Sequence, residues 1–347
     1  MRSVTKHRLF WPVATLVSLI LINTVARSQF ASITVRDGRL YGALIDILRQ
    51  SAPLMLVSLG MTIVIATRGI DLSVGAVMAV SGAVALTIID GSTDPSDPGV
   101  VMVAVVVAIL ASLLLGAWNG FLVSLLGIQP IIATLVLMLA GRGVALLITE
   151  GFITTVNSTP FEFISTGYLL LPFAFFIWVA AVAVVGLTER RTALGVLTEA
   201  VGINPEASRL AGVRSRGIIW SAYAASGVLA GIAGIIYASN IKAADANAAG
   251  QFIELYAILA VVLGGTSLMG GKFSLAGTVV GVLIIQTLES TMLFLGVPSA
   301  ESPVFFAIVV VVVVIIQSPR LHRLARDVTN AARSRRTAEP SDAEVAG

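Results

Sequence analysis

The chain has 347 residues, of which 57% are hydrophobic and 12% are charged, whereas soluble domains carry roughly 25% charged residues. This composition excludes an ordinary soluble domain and predicts an all-α integral membrane protein. The chain has no cysteine, and its two histidines, His7 and His322, lie in its tails. Disulfides and cysteine zinc sites are therefore excluded, and we expect neither a metal site nor catalytic activity.

The first apolar run, over 9–26, follows a tail with three basic side chains. A signal peptide shows a similar pattern, but this run is long for an apolar signal segment, and 25–27 (VAR) makes a poor cleavage site. We therefore predict a cytoplasmic tail over 1–8 followed by an uncleaved membrane span.

Ten apolar stretches approach the length of about 17–25 residues that crosses a bilayer. We therefore predict about ten transmembrane helices in a permease domain over 9–317. The predicted spans are 9–26, 53–67, 72–90, 99–126, 130–149, 168–187, 217–239, 254–265, 274–295 and 303–317. In addition, the segment 27–51 is predicted to contain an interfacial helix that leads into the second span.

Basic residues give the orientation, because Lys and Arg concentrate on the cytoplasmic side of membrane proteins. The central segment 188–216 holds five arginines, the tail 318–347 holds six, and the loop 90–98 is acidic. Ten spans place both termini and the central segment in the cytoplasm and the acidic loop outside. The last residues, 337–347, are small and acidic, and we expect them to be disordered.

Within the central segment, 202–212 is predicted to form a short helix with both ends marked. Asn204 suits the N-cap, Pro205 the first helical position, and Glu206 the first turn, while Gly212 suits a left-handed C-terminal position. A helix of about seven residues is unstable alone in water. We therefore expect it to pack against a partner.

Two regions, 59–76 and 263–281, each run from Leu-Gly through a polar break with glycine into a helix with Ser and Gly. Such interrupted segments are typical of transport pathways. The sequence GGKF at 270–273 is similar to a nucleotide-binding loop, but Phe273 stands where Ser or Thr must bind magnesium. We therefore expect a tight turn there and no ATPase site in this chain.

Asp71 lies in the first of these breaks, and a carboxylate at membrane depth costs about 2.5–3.5 kcal/mol. Two interpretations remain open. Arg68 pairs with it and stabilises the helix break, or Asp71 contacts a polar permeant with Ser73 beside it.

Further polar side chains lie at or near membrane depth. Asn119, Gln129 and Arg142 either form interhelical hydrogen bonds, which we favour, or line a pathway. Trp118 fits stacking on a sugar or anchoring at the membrane interface.

The predicted outer loop 240–251 also carries polar side chains. Asp245, Asn247 and Gln251 either contact a docking partner or belong to a solvated loop, which is the default interpretation.

Three segments together resemble permeases of the ribose-type sugar ABC importers. They are 59–75 (LGMTIVIATRGIDLSVG), 199–213 (EAVGINPEASRLAGV) and 264–275 (GGTSLMGGKFSL). The resemblance runs over 39–317. Three more segments, 37–42, 133–144 and 243–250, are similar to the galactofuranose importer permeases within that group.

The resemblance implies a bacterial inner-membrane subunit that moves a monosaccharide inward by alternating access. Its implied partners are a second permease in a homodimer or heterodimer, cytosolic ATPases that hold ATP and magnesium, and a periplasmic or lipoprotein sugar-binding protein. No cofactor is expected on this chain, and no nucleic acid. The implied ATPase-coupling residues are Glu199, Ala200, Gly202, Asn204, Ala207 and Gly212, to which Arg209 adds charge at the rim. Ser208 and Phe273 depart from the family pattern.

Three other functions remain open. An ion-coupled secondary sugar transporter would use titrating carboxylates such as Asp71. An importer of the same class could carry another small polar substrate. A membrane scaffold or receptor without transport is the third alternative.

Overall fold

The computed structural model describes residues 9–27 and 29–296 together with the helical positions 304, 307, 308 and 311. The predicted tails, 1–8 and 318–347, lie outside the described residues, as does most of the predicted tenth span. The chain divides into a unit over 1–291 and a unit over 292–347, and the fold below is that of the first.

The described residues form twelve helices and four short strands. The helices are α1 (Phe10–Ala26), α2 (Ala43–Ala66), α3 (Val74–Asp90), α4 (Pro98–Ser124), α5 (Pro130–Ile148), α6 (Thr159–Thr166), α7 (Phe173–Arg191), α8 (Ala193–Ile203), α9 (Pro205–Leu210), α10 (Ser215–Ile241), α11 (Ile253–Leu263) and α12 (Leu275–Leu295). The strands pair antiparallel as β1 (Thr34–Arg36) with β2 (Arg39–Tyr41), and β3 (Thr154–Thr155) with β4 (Ala243–Ala244).

Six of the described helices are long and apolar enough to cross a membrane: α2, α4, α5, α7, α10 and α12. Helices α1, α3 and α11 coincide with predicted spans, but they are shorter. The structure therefore confirms a helical protein, in which six of the described helices could cross a membrane.

Two sequence predictions about helix boundaries were wrong. The interfacial helix and the second span form the single helix α2, which continues through Pro53. Packing against neighbouring helices allows this proline inside a membrane helix. The central segment is also more helical than expected, because α7 extends to Arg191 and Thr192 caps the unpredicted helix α8.

Helix α10 is the centre of the unit and packs against α2, α3 and α4. Small residues allow this close approach. A Cβ at Gly227 would lie 2.5 Å from the Ser112 carbonyl oxygen and 2.7 Å from Gly116 Cα. By contrast, many large apolar side chains of α4, α5 and α7 are exposed on the outside of the unit, as expected for surfaces that face lipid.

Candidate functional site

A buried polar cluster surrounds Asp71, which is 1% exposed in the break between α2 and α3. Its Oδ1 accepts hydrogen bonds from the backbone N–H of Ser73 at 3.0 Å and from Ser73 Oγ at 2.6 Å. Its Oδ2 accepts a bond of 2.9 Å from Ser226 Oγ. Ser226 is on α10, so the carboxylate joins the break to the central helix.

Asn119 extends this cluster to α4. Its Nδ2 donates a 2.8 Å hydrogen bond to Ser73 Oγ. Its Oδ1 is buried and has no hydrogen-bond partner among the described residues. Asn119 therefore combines the predicted interhelical bond with an acceptor that is available to a hydroxyl donor.

Of the two interpretations left open for Asp71, pairing with Arg68 is contradicted by the contacts of both side chains. Arg68 has a positive φ of 65°, and its guanidinium binds two backbone carbonyls elsewhere. Its Nη2 donates to the carbonyl oxygen of Ile203 at 2.5 Å, and its Nε donates to that of Met269 at 3.1 Å. The carboxylate of Asp71 is instead satisfied by serine donors.

Ser226 and Thr134 also lie around the break, and sequence reasoning missed both. Thr134 Oγ1 lies 3.3 Å from the Ile70 carbonyl oxygen and 2.9 Å from that of Pro130. Ser226 lies within a run of small residues, Ala224 to Gly227. A small polar residue in a membrane helix is a weak signal, because many such residues bond only within their own helix.

Trp118 and Gln129 do not join the cluster. Trp118 is 53% exposed, and its ring stacks on Phe121 with 5.8 Å between centroids. Gln129 is exposed at the N-cap position of α5, where its side chain makes no capping hydrogen bond. These positions favour surface roles, with Trp118 as an anchor.

Arg142 holds the loop between β4 and α11, which packs through Gly250 against Gly75 at the start of α3. Its Nη1 lies 2.8 Å from the Ala246 carbonyl oxygen, 2.6 Å from that of Ala249 and 3.3 Å from that of Asn247. The predicted interhelical bond is thus a bond from α5 to a loop.

The three predicted docking residues differ in their surroundings. Asp245 Oδ1 accepts bonds from the N–H groups of Asn247 at 2.9 Å and Ala248 at 3.1 Å, so this carboxylate stabilises the turn itself. The side chains of Asn247 and Gln251 are exposed. Both remain accessible to another chain.

The predicted caps of the short central helix are confirmed. Asn204 Oδ1 accepts hydrogen bonds from the N–H groups of Glu206 at 3.1 Å and Ala207 at 3.0 Å. Gly212 follows the helix with a φ of 88°. The helix α9 is shorter than predicted, because it ends at Leu210.

The exposed face of α9 carries an ion pair. Arg209 Nη2 and Nε lie 2.6 and 3.2 Å from the two carboxylate oxygens of Glu206. This contact lowers the pKa of Glu206 and raises that of Arg209. Ala207 is exposed on this helix, whereas Ser208 is buried against the rest of the chain. The small Ala207 side chain thus leaves the backbone accessible to a partner.

The preceding helix α8 is fixed to the body of the protein by Gly202. A Cβ there would collide with the Ala66 carbonyl oxygen at the end of α2. The half-buried Glu199 lines a cavity of about 260 Å³ together with Phe273, whereas Ala200 is half-buried on α8. Helix α8 therefore connects α9 to α2 and to the turn before α12.

Apolar helices of membrane-crossing length around a buried polar cluster define the class of protein as a multi-pass membrane protein. A family model described as the permease component of the branched-chain amino acid transport system matches residues 43–315. The chain belongs to this family.

Individual relatives are similar over nearly the whole chain. A galactofuranose transporter permease of Escherichia coli K12 is 47% identical over 93% of this chain and 95% of its own length. A fructose import permease of Bifidobacterium longum is 42% identical over 94% and 92%, respectively. A ribose import permease of Escherichia coli K12 is 34% identical over 89% and 92%. No solved structure matches the chain. The chain is thus the permease subunit of an ABC importer, as its motifs predicted.

Proposed function

We propose that this chain forms the path by which a monosaccharide enters a bacterial cell, driven by separate ATPase subunits. The relatives described above are permeases for galactofuranose, fructose and ribose, which supports a small sugar as the substrate. In this proposal the chain lies in the inner membrane with ten spans and cytoplasmic termini. It pairs with a second permease and receives sugar from a binding protein.

The observation that carries the coupling role is the exposed surface of α8 and α9. The apolar side chains of Val196, Ile203 and Leu210 are 73%, 58% and 78% exposed, beside the exposed Ala207. Exposed apolar groups rimmed by charge are typical of protein interaction sites. We assign this surface to the ATPase, with Arg209 at its rim, because GGKF at 270–273 is not a nucleotide-binding loop.

The substrate path in this proposal passes the cluster of Asp71, Ser73 and Asn119. A sugar delivered by a binding protein needs only weak polar contacts on its way. The unpartnered Oδ1 of Asn119 can accept a hydrogen bond from a sugar hydroxyl. The cluster is closed to solvent in this conformation, so passage requires the helices around the break to separate, as alternating access implies.

Replacing Ala207 with Asp tests the ATPase contact. We expect the added charge to reduce both copurification of the ATPase and uptake of radiolabelled sugar, because an unpaired charge in an interface is costly. Ser96→Asp adds the same charge to the exposed loop before α4 and serves as the control. Unchanged copurification and uptake in the Ala207 variant would reject the coupling role.

The energy source and substrate are tested in cells that express the full importer. Radiolabelled galactofuranose, fructose, ribose and leucine are compared after ATP depletion and after addition of an ionophore. The proposal expects sugar uptake that stops on ATP depletion. Uptake that stops only with the ionophore would favour an ion-coupled transporter. Its best site would be the buried Asp71, which has no cationic side-chain partner in the part of the chain that the structure describes.

A further inference from the structure

Arg68 connects three segments that are far apart in sequence. It directly follows Thr67, the C-cap of α2, and so begins the break between α2 and α3. Its guanidinium donates to Ile203 at the end of α8 and to Met269 in the loop between α11 and α12. A planar guanidinium can direct separate N–H groups at two acceptors, which a single ammonium group does less well.

Backbone contacts fix the same three segments around Arg68. The Gly271 N–H donates a 2.9 Å bond to the Ala66 carbonyl oxygen, against which Gly202 also packs. A Cβ at Gly270 would collide with Cγ of Arg68. The end of α2, the end of α8 and the 264–274 loop therefore form one junction.

This junction lies between the two sites described above. On one side, Ile203 is followed directly by Asn204, the cap of α9. On the other, Asp71 is three residues after Arg68 and accepts hydrogen bonds from Ser73 and Ser226, and Asn119 joins the cluster through Ser73. The second polar break, over 264–274, meets the first here, and Thr62 Oγ1 and Thr278 Oγ1 join the helices beside the two breaks at 2.8 Å. A movement of α8 can therefore displace Arg68, which lies only three residues before Asp71 in the buried cluster.

We propose that Arg68 is a positioning residue that transmits movement of α8 and α9 to the α2–α3 break, and so links ATP hydrolysis to opening of the path. This inference rests on the proposed function, in which α9 receives the ATPase. Arg68 is then neither a substrate ligand nor a partner of Asp71. Its role is to make the α2–α3 break move when α9 moves.

The test uses the complete importer in liposomes, with Arg68→Gln and Arg68→Lys. We expect the glutamine variant to retain the ATPase and its basal hydrolysis, while sugar moved per ATP falls roughly tenfold, in the range of residues that couple sites. The lysine variant should be intermediate. Arg49→Gln is the control, because Arg49 bonds Asn240 at the opposite end of α2. A wild-type transport ratio in the glutamine variant would overturn the proposal.

If the glutamine variant does not fold, a comparison of two glycine substitutions tests the role of Arg68 instead. Gly265 and Gly270 lie in the same loop with φ values of 84° and 81°, so alanine strains both backbones similarly. Only at position 270 does the added Cβ meet Arg68, because the space at position 265 is empty within 4 Å. We expect Gly270→Ala to lower the transport ratio more than Gly265→Ala. Equal ratios would overturn the proposal.

These outcomes can be told apart from a failure of the docking role, which is the proposed binding of the ATPase to α8 and α9. If Ala207→Asp keeps its ATPase and uptake, then the docking role is rejected whatever the Arg68 variants do. If Ala207→Asp loses the ATPase but the Arg68 variants keep a wild-type transport ratio, only the transmission role is rejected.

Discussion

Asn119 on α4 donates a 2.8 Å hydrogen bond to Ser73 Oγ, and that hydroxyl donates in turn to Asp71. One side chain of α4 therefore orients the serine that satisfies the buried carboxylate. We predict that Asn119→Ala lowers uptake roughly tenfold, because it removes this hydrogen bond, which contributes about 0.5–1.5 kcal/mol, and the acceptor proposed for a sugar hydroxyl. A tenfold change corresponds to about 1.4 kcal/mol. Uptake of radiolabelled sugar by the full importer measures the effect.

The control for Asn119 is Ser112→Ala on the same helix. Ser112 is buried, but its Oγ donates only to the Ala108 carbonyl within α4. This variant loses a hydroxyl without disturbing the Asp71 cluster, so its uptake should stay near the wild-type rate. Equal uptake by the two variants would exclude Asn119 from the path.

The close packing of α4 and α10 gives a prediction about stability. Gly227→Ala places a methyl group against the Ser112 carbonyl and Gly116, and overpacking of this kind costs about 1–3 kcal/mol. Gly217 is on the same helix, but a Cβ there meets nothing within 4 Å. We therefore expect a lower Tm in detergent for Gly227→Ala and an unchanged or higher Tm for Gly217→Ala. The reverse order would contradict the packing.

Features that depend on neighbouring residues were predictable from the sequence. The caps of α9 are an example, because Asn204 bonds N–H groups only two and three residues away. The boundaries of α4 and α5 are another, since Pro98 and Pro130 occupy their first positions. Long apolar runs also predicted where most membrane helices begin and end.

Features that depend on distant residues were not predictable in the same way. Arg68 and Asp71 are three residues apart and opposite in charge, so local reasoning paired them. The positive φ at Arg68 instead accompanies a side chain that reaches carbonyls 135 and 201 residues away. Ser226 likewise became a partner of Asp71 only through the packing of α10 against the break.

The orientation of the chain can be tested with single cysteines, because the natural sequence has none. Met269 and Leu210 are each 78% exposed, and we predict that both face the cytoplasm, whereas Ser96 faces outward. A membrane-impermeant maleimide should label Met269→Cys and Leu210→Cys in inverted vesicles and Ser96→Cys in intact spheroplasts. Labelling of all three from one side would contradict the proposed topology.

Arg142 supports a last prediction, which concerns the loop over 245–251. Its Nη1 is the donor to the carbonyls of Ala246 and Ala249, and a hydrogen bond to a charged group contributes about 1.5–3 kcal/mol. Arg142→Ala should therefore speed hydrogen exchange of the loop amides by roughly tenfold or more, since about 1.4 kcal/mol corresponds to that factor. Mass spectrometry of the purified permease measures the exchange.

The same variant tests whether the loop receives the binding protein. If the exposed side chains of Asn247 and Gln251 contact that partner, the loop that Arg142→Ala loosens must be ordered again on binding. We therefore expect the affinity of the binding protein for the permease to fall in the variant whose loop amides exchange faster. Arg36→Ala, which removes an exposed arginine from the β1–β2 hairpin, controls for the loss of positive charge. Faster exchange with unchanged affinity would show that Arg142 holds a solvated loop that does not contact the binding protein, because the order of the loop would then have no effect on binding.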